Sequence, residues 1–532
     1  QGGAGDATGD VLSEIEGVIG SSGNDTLTSG AGNNILSGDI GNDELVAGAG
    51  NDTINGGGDD DLIKMDANLN SLDKIDGGDG LDTVELDGDY HLGVVLSGAN
   101  FANVETVQLD AGNKYRLTIS PTTTQPGYLI DGSALGGTDT LVATVTGSVG
   151  MSIIAGAAAD TLTGGSGGDY FLGGAGADLI TGGTGADTVD YTGSAGAVTV
   201  NLALATAQVG GDAAGDRLIG IENVIGSGNN DVLIGTTAIN VLDGSAGNDT
   251  LTGGAGADTL SGGLGVDTAN YLTSTAAVSI DLTSTGAQAG GDAKGDVLAG
   301  IEGVSGSNFN DTLIGNDKNN ILSGNGGNDS LVGGIGADTI DGGLGIDTLS
   351  YAGSASGVTV NLTTNINAGG DAQNDSITGV ENLIGSTSDD SLTGDGNSNS
   401  IQAGDGNDTL ASGGNGVDTL LGGAGKDVIQ FAGDLTATDR IDGGADSDKL
   451  VLNGNYAAGL VFGATTAINI EEIDLTAAGG DYKLTLADAT NVSGLTVDGS
   501  GLGGGGETLN LTATAETKAA LIALGGTGND TV

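Results

Sequence analysis

The sequence predicts an all-β fold, a parallel solenoid of short strands, and three observations carry that expectation. Aspartates recur at intervals of nine residues, as Asp249, Asp258 and Asp267 do within GNDTLTGGAGADTLSGGLGVDTAN, residues 247–270. Glycines precede each of them, and Leu251, Leu260 or Ala269 follows two places later. A chain of 532 residues with 108 glycines, no Trp and 3% aromatics cannot fill several thick cores, whereas a thin coil needs little apolar bulk. Nine residues fit neither an amphipathic helix nor a hairpin array; a glycine turn plus a short strand at fixed length is the pattern of a stacked repeat. Only two prolines, Pro121 and Pro126, and no three-residue period argue against disorder and collagen.

Each part of the repeat has a physical reason. Glycines at the first, second and fourth positions permit positive φ and bare backbone carbonyls, so the turn can aim oxygens at one point. Asp adds charge there. Calcium is a hard cation that takes 6 to 8 oxygen ligands and has no need of sulfur or imidazole, and the chain has no Cys and only one His, His91. After the Asp, Thr250-Leu251-Thr252 alternates polar, apolar and polar, which turns one side chain inward per strand. The pattern G-G-x-G-x-D-x-U-x, with U apolar, resembles the RTX, or haemolysin-type calcium-binding, family. That resemblance implies a parallel β-roll in which two nonapeptides make one coil and ions sit between turns of adjacent coils. Partners are then eighteen residues apart, as Asp249 and Asp267 are.

The formal net charge is −59, from 71 acidic and 12 basic residues, which excludes nucleic acid and anionic membranes as partners by like-charge repulsion. Cations suit this surface. At about one ion per Asp-containing nonapeptide, roughly 20 calcium ions bring about 40 positive charges, so folding is expected to depend on calcium. No stretch approaches about 18 consecutive apolar residues, so no transmembrane segment is expected, and the first residues lack the features of a signal peptide.

Taken in order, the chain reads as nested repeats. Residues 1–63 form a roll that begins mid-repeat, since Asp6 and Glu16 align with Asp212 and Glu222. It carries Asp25, Asn34, Asp43, Asp52 and Asp61, with Leu27, Leu36, Leu45, Ile54 and Ile63 inward. Residues 64–156 lose the period and read as a β-rich module with one isolated nonapeptide at Asp82. The beat resumes over 157–190 with Asp160, Asp169, Asp178 and Asp187. Tyr191, Tyr271 and Tyr351 then open three strand-turn segments, each closed by a roll, over 191–270, 271–350 and 351–430. Their aspartates are Asp231, Asp249, Asp258 and Asp267; Asp311, Asp329, Asp338 and Asp347; and Asp390, Asp408, Asp418 and Asp427, with Asn240, Asn320 and Asn399 in each second slot. Asp408 to Asp418 is ten, which suggests a bulge. Residues 431–524 repeat the module of 64–156 and include Asp448, and 525–532 start another roll with Asp530. The chain thus reads as an excerpt of a longer array.

These aspartates are the candidate calcium ligands, because recurrence at nine with glycines at fixed offsets goes beyond the ordinary preference of Asp for turns. Asn lends an oxygen without charge, so weaker sites or none are expected at Asn34, Asn240, Asn320 and Asn399. The turns GGDAAGD, GGDAKGD and GGDAQND pair Asp212 with Asp216, Asp292 with Asp296 and Asp371 with Asp375, and read equally as further calcium sites or as solvated acidic turns. Glu222, Glu302 and Glu381 recur in G-[IV]-E-[NG]-[VL]; a solvent-facing strand residue is the leading reading, ahead of a cap or an ion ligand. No His or Lys recurs beside Ser or Thr, so no nucleophilic machinery and no enzyme activity are expected.

Two functions follow from these readings. The first is a calcium-binding extracellular scaffold of a surface layer, biofilm matrix or adhesin. It would associate with itself or with cell-surface polysaccharide or lipopolysaccharide. The second is the calcium-dependent carrier region of a secreted enzyme or toxin whose active domain lies elsewhere. The resemblance implies bacterial type I secretion for both.

Overall fold

The structure is a computed structural model that describes residues 14–120, 128–463, 466–476, 480–487, 494–502, 507–514 and 521–532. Asp6, Pro121 and Pro126 lie outside the described residues. The chain divides into two compact units, Gln1–Thr268 and Ala269–Val532. Each is a parallel β-solenoid, and among the described residues no helix is long and apolar enough to cross a membrane.

In the first unit one face is built from Thr26–Thr28, Glu44–Val46, Leu62–Lys64, Thr83–Leu86, Thr106–Leu109, Tyr128–Asp131, Met151–Ile154 and Tyr170–Leu172. It continues through Thr188–Asp190, Asn223–Ile225, Val241–Asp243 and Thr259–Ser261, each strand paired in parallel with the next in that order. The sequence suggests that the roll is interrupted over 64–156, but this ladder runs straight through that segment. Val107 pairs with Val84 and Ile130 with Val107, 23 residues apart in each case. The nine-residue period disappears there because the turns lengthen, while the strands keep their places.

The opposite face is made in sections. Ile35–Ile40, Thr53–Gly58 and Lys74–Asp79 stack first. Tyr90–Ser97, Tyr115–Ser120, Leu141–Val145, Thr161–Thr163, Leu179–Thr181 and Arg217–Ile219 form a new sheet. Thr199–Asn201, Val232–Ile234 and Thr250–Thr252 form the next. Each section ends where an insertion leaves the coil. The segment after Tyr191, for example, folds back on itself through an antiparallel bridge from Thr199 to Val209.

The second unit repeats the scheme. Ser279–Asp281, Thr312–Ile314, Ser330–Val332, Thr348–Ser350, Asn382–Ile384, Ser400–Asp405, Thr419–Ala424 and Arg440–Ala445 pair in succession. So do Thr359–Asn361, Ser391–Thr393, Thr409–Ala411, Val428–Phe431, Lys449–Leu452 and Glu472–Leu475. The ten-residue interval before Asp418 makes no bulge in the strands. Ser400–Asp405 and Thr419–Ala424 stay in register from Ser400↔Thr419 to Asp405↔Ala424, and the extra residue is absorbed by the Ser412–Gly416 turn.

The core is a single file of side chains. The middle residue of each three-residue strand points inward, as Leu45, Ile63, Val224, Leu242, Leu313, Leu331 and Leu349 do, all essentially inaccessible. Each such burial is worth about 1.5–3 kcal/mol, so the coil is held by many small equal contributions. Leu36, Ile54 and Ile63 are buried as the pattern requires. Leu27 is only half-buried because it belongs to the outermost described coil.

Candidate metal sites

The turn that precedes each strand brings the candidate ligands together, and Asp249 shows how. The backbone N–H of Asp231 donates to Asp249 Oδ1 at 2.7 Å, and the N–H of Asp249 donates to Asp267 Oδ1 at 2.8 Å. Asp249 is thereby pinned through Oδ1 to the coil before it. Its other oxygen has no such partner. Asp249 Oδ2 is buried without a hydrogen bond, and it lies against Gly244 Cα beside the Gly262 carbonyl oxygen of the next coil. A methyl group on Gly244 would overlap both oxygens, which is why no larger residue fits there.

The arrangement recurs along both units. The Oδ2 atoms of Asp43, Asp52, Asp61, Asp82, Asp178 and Asp187 are buried and bare in the first unit, and those of Asp329, Asp338, Asp347, Asp408, Asp427 and Asp448 in the second. Gly38 is wedged between Asp43 Oδ2 and Gly56 O, and Gly324 between Asp329 Oδ2 and Gly342 O. A buried carboxylate without a partner is costly, and its usual escape is to take up a proton. Burial, followed by neighbouring carboxylates, pushes Asp61, Asp82, Asp249 and Asp448 up to about 6, against the lowering effect of the donated backbone N–H. Asp329 and Asp408 reach about 7, and Asp178 about 8, for the same reasons.

A cation answers this need better than a proton. Among the described residues no three His, Cys, Asp or Glu side chains converge on one point, so an ion here draws on backbone carbonyls as well as carboxylates. That donor set is all oxygen and suits calcium rather than zinc. The RTX calcium-binding nonapeptide repeat, the repeat of the haemolysin type, matches residues 18–45, 37–64, 154–189, 234–269, 305–340, 314–349, 375–410 and 412–430. Over these segments the chain carries RTX repeats. No curated protein matches it.

Within the RTX ladder the aspartates are not equivalent. Asp231, Asp311 and Asp390 open their rolls with both oxygens taken. Ser227, Ser307 and Ser386 each give a backbone N–H to Oδ2 at 2.5, 2.5 and 2.6 Å and a hydroxyl to Oδ1 at 2.9, 2.7 and 2.8 Å. Asp25 is held in a similar way by Ser21, whose N–H and hydroxyl both donate to Oδ2. Asp160 and Asp169 accept from the N–H of Gly156 and Gly165 in addition to Leu141 and Met151. Asp258, Asp418 and Asp530 accept at Oδ1 from Asn240, Asn399 and Leu509.

The asparagines close their own sites. Asn240 accepts the Thr236 N–H at Oδ1 and donates through Nδ2 to the Glu222 carbonyl at 2.7 Å; Asn320 and Asn399 do the same to Glu302 and Glu381 at 3.1 Å. The Asn240 amide oxygen therefore stands in the slot that the bare Oδ2 fills in Asp249, beside the Gly253 carbonyl, and brings no charge there, while the nitrogen turns to the preceding coil.

Several ladder residues escape a count by nines. Asp73 and Asp439 accept the N–H of Asp52 and Asp418 at 2.7 and 2.9 Å; the D-x-I spacing in Asp73-Lys74-Ile75 and Asp439-Arg440-Ile441 marks them, but the interval is 21. In the GGDAxGD turns the second Asp joins the ladder, as neither an open loop ligand nor a solvated acid. Asp216 and Asp375 accept the N–H of Asp178 and Asp338, while Tyr191 and Tyr351 hydroxyls donate to their Oδ2 at 2.9 and 2.7 Å. Burial first, then like charge, places Asp216 at about 6. Glu222 and Glu381 accept the N–H of Asp187 and Asp347, so they are ladder members too, against the reading of a solvent-facing strand residue.

Proposed function

We propose that this chain is a calcium-gated extracellular scaffold, a stretch of a surface layer, biofilm matrix or adhesin exported by a type I route, and not an enzyme. What supports the reading is repetition: the bare buried oxygen facing a carbonyl recurs from Asp43 to Asp448, where an enzyme requires one irregular site. In low cytosolic calcium the acidic chain repels itself and stays expanded; millimolar calcium outside fills weak sites of about 10⁻⁴ to 10⁻³ M affinity and lets the coils close. With a formal charge of −59, copies of the chain, or anionic cell-surface polysaccharide, approach one another only when ions neutralise or bridge them. Circular dichroism and small-angle scattering through a calcium titration, at ionic strength matched with sodium, test the gating. Coil formation and association are expected to rise with calcium alone. Equal compactness in chelator and in millimolar calcium would refute the gating, and catalysis traced to this segment would favour the carrier region of an enzyme instead.

A further inference from the structure

Four of the stops in the nonapeptide series, at Asp82, Asp187, Asp347 and Asp448, share one feature: the coil that follows lacks the glycine turn that supplies the facing carbonyl elsewhere. The oxygen that needs it is still present. Oδ2 of each of these four aspartates is bare, and none of the four side chains is more than about 1% exposed.

A three-residue segment takes the place of the missing turn: Asn103-Val104-Glu105, Gly220-Ile221-Glu222, Gly379-Val380-Glu381 and Asn469-Ile470-Glu471. Its first residue is left-handed, with φ of 49°, 61°, 60° and 53°. That conformation tips its carbonyl oxygen onto the glycine before the Asp. A methyl on Gly77, Gly182, Gly342 or Gly443 would overlap both the Asp Oδ2 and this carbonyl, as one on Gly244 would overlap Asp249 Oδ2 and the Gly262 carbonyl inside a roll. The third residue puts a carboxylate in the slot of the next Asp. Glu105, Glu222, Glu381 and Glu471 accept through Oε2 the N–H of the stopping Asp at 2.8, 3.0, 2.9 and 2.8 Å. The Asp carbonyl in turn accepts two consecutive N–H groups, those of Glu105 and Thr106 at the first stop and those of Glu222 and Asn223 at the second.

The geometry points to a second kind of calcium site, at the ends of the ion ladders, in which the left-handed carbonyl and the Glu carboxylate of an [NG]-[IV]-E segment replace a whole nonapeptide turn. This rests on the calcium reading of the repeats and extends it beyond their motif. Two unrelated insertions arrive at the same arrangement, the long-turn modules at Glu105 and Glu471 and the tyrosine segments at Glu222 and Glu381. A cap alone would need only an acceptor for one N–H, and glutamine supplies that without charge. Instead each stop sets a carboxylate against a buried, unpartnered one, an arrangement that a divalent cation relieves.

The test separates ligand from cap by substituting Gln, which keeps the N–H acceptor and removes the charge. Equilibrium dialysis of the full chain with calcium, wild type against Glu105→Gln/Glu222→Gln/Glu381→Gln/Glu471→Gln, is expected to show one ion fewer per substitution, with an unchanged circular dichroism spectrum. An unchanged ion count in the variant overturns the inference and leaves the calcium reading intact, whereas a wild type that binds no calcium overturns both. Should the variant misfold, anomalous scattering from lanthanide-loaded wild-type crystals decides. Peaks between Asp187 and Gly220 O and between Asp347 and Gly379 O are expected, and peaks confined to the glycine turns refute the terminal sites.

Discussion

Residues 43–82 and residues 90–154 of the first unit share one coiled backbone and fill the same slot in opposite ways. In the former the residue two places before the inward side chain is Asp43, Asp61 or Asp82, an acid whose second oxygen is bare. In the latter the register puts Tyr128 and Met151 in that slot on one face and Tyr90, Tyr115 and Leu141 on the other. Tyr90 and Tyr115 stack with centroids 6.0 Å apart, and the Tyr115 hydroxyl donates to the Leu86 and Asp110 carbonyls at 2.8 Å. Tyr456 and Tyr482 repeat the pair in the second unit at 5.7 Å. One set of coils needs a cation to complete it; the other, apart from Glu105 where it meets Asp82, is complete with its own side chains. A solenoid of this kind can therefore mix conditional and unconditional coils without altering its strand pairing.

Chelation gives the largest contrast. Removing calcium is expected to raise amide exchange by orders of magnitude in the strands beside Asp43, Asp61, Asp249 and Asp329, because each is left with an uncompensated buried charge, while Tyr115–Ser120 and Leu141–Val145 stay protected. Hydrogen exchange with mass spectrometry, with and without chelator, reads this directly, and uniform loss across both regions would abolish the distinction.

Acidity comes next. Asp61, Asp249, Asp329 and Asp178 are raised in the folded chain, to about 6, 6, 7 and 8, so the calcium-free fold binds more protons than the unfolded chain does. Its stability is then full below about pH 4 and declines as pH rises through 6 to 8, each tenfold difference in proton affinity between folded and unfolded chain being worth about 1.4 kcal/mol. Urea melts in chelator at pH 4.5 and 8 are expected to favour the lower pH, and calcium is expected to remove that preference. Greater stability at pH 8 in chelator would contradict the bare-carboxylate description.

Tyr115→Ala probes the other region. Loss of a buried, stacked ring is expected to cost about 3–5 kcal/mol, equally in calcium and in chelator, as read by urea melts of the 90–154 coils. A cost that appears only in chelator would tie the aromatic coils to ions after all.

The smallest change converts one type of site into the other. Asn240→Asp removes the amide that donates to the Glu222 carbonyl, so a loss of about 1–3 kcal/mol is expected in chelator, recovered on adding calcium. Calorimetry on wild type and variant checks it, and a loss that calcium does not recover would show that the new carboxylate gains no ion.

Much of this was legible in the sequence because the nonapeptide states both its strand and its turn. Leu45, Leu242 and Leu331 could be placed in the core, and Asp43, Asp249 and Asp329 in the ladder, from spacing alone. The continuation of the coil through 64–156 was not, since Tyr128 and Met151 replace the Asp there and coils of 23 residues hide the beat. Neither was the inequality among the aspartates. Ser227 silences Asp231 through a four-residue contact that leaves the motif intact, and Glu222 enters the ladder only because Gly220 turns left-handed.

The pairing between coils also has a direction. Among the described residues the Asp N–H goes to the carboxylate that follows it in the chain, as Asp231 to Asp249 and Asp249 to Asp267. Losing the preceding coil strips the Asp249 carboxylate of one donor and strands the Thr250 N–H, which donates to the Asp231 carbonyl; losing the following coil strands the Asp249 N–H, each at about 1–3 kcal/mol where the amide stays buried. A coil already formed thus offers carboxylate acceptors to the segment before it and backbone carbonyl acceptors to the segment after it. Deleting one coil from either side of Asp249 and comparing hydrogen exchange would expose that division of labour: the Asp249 N–H is expected to lose protection after loss of the following coil, and the Thr250 N–H after loss of the preceding one.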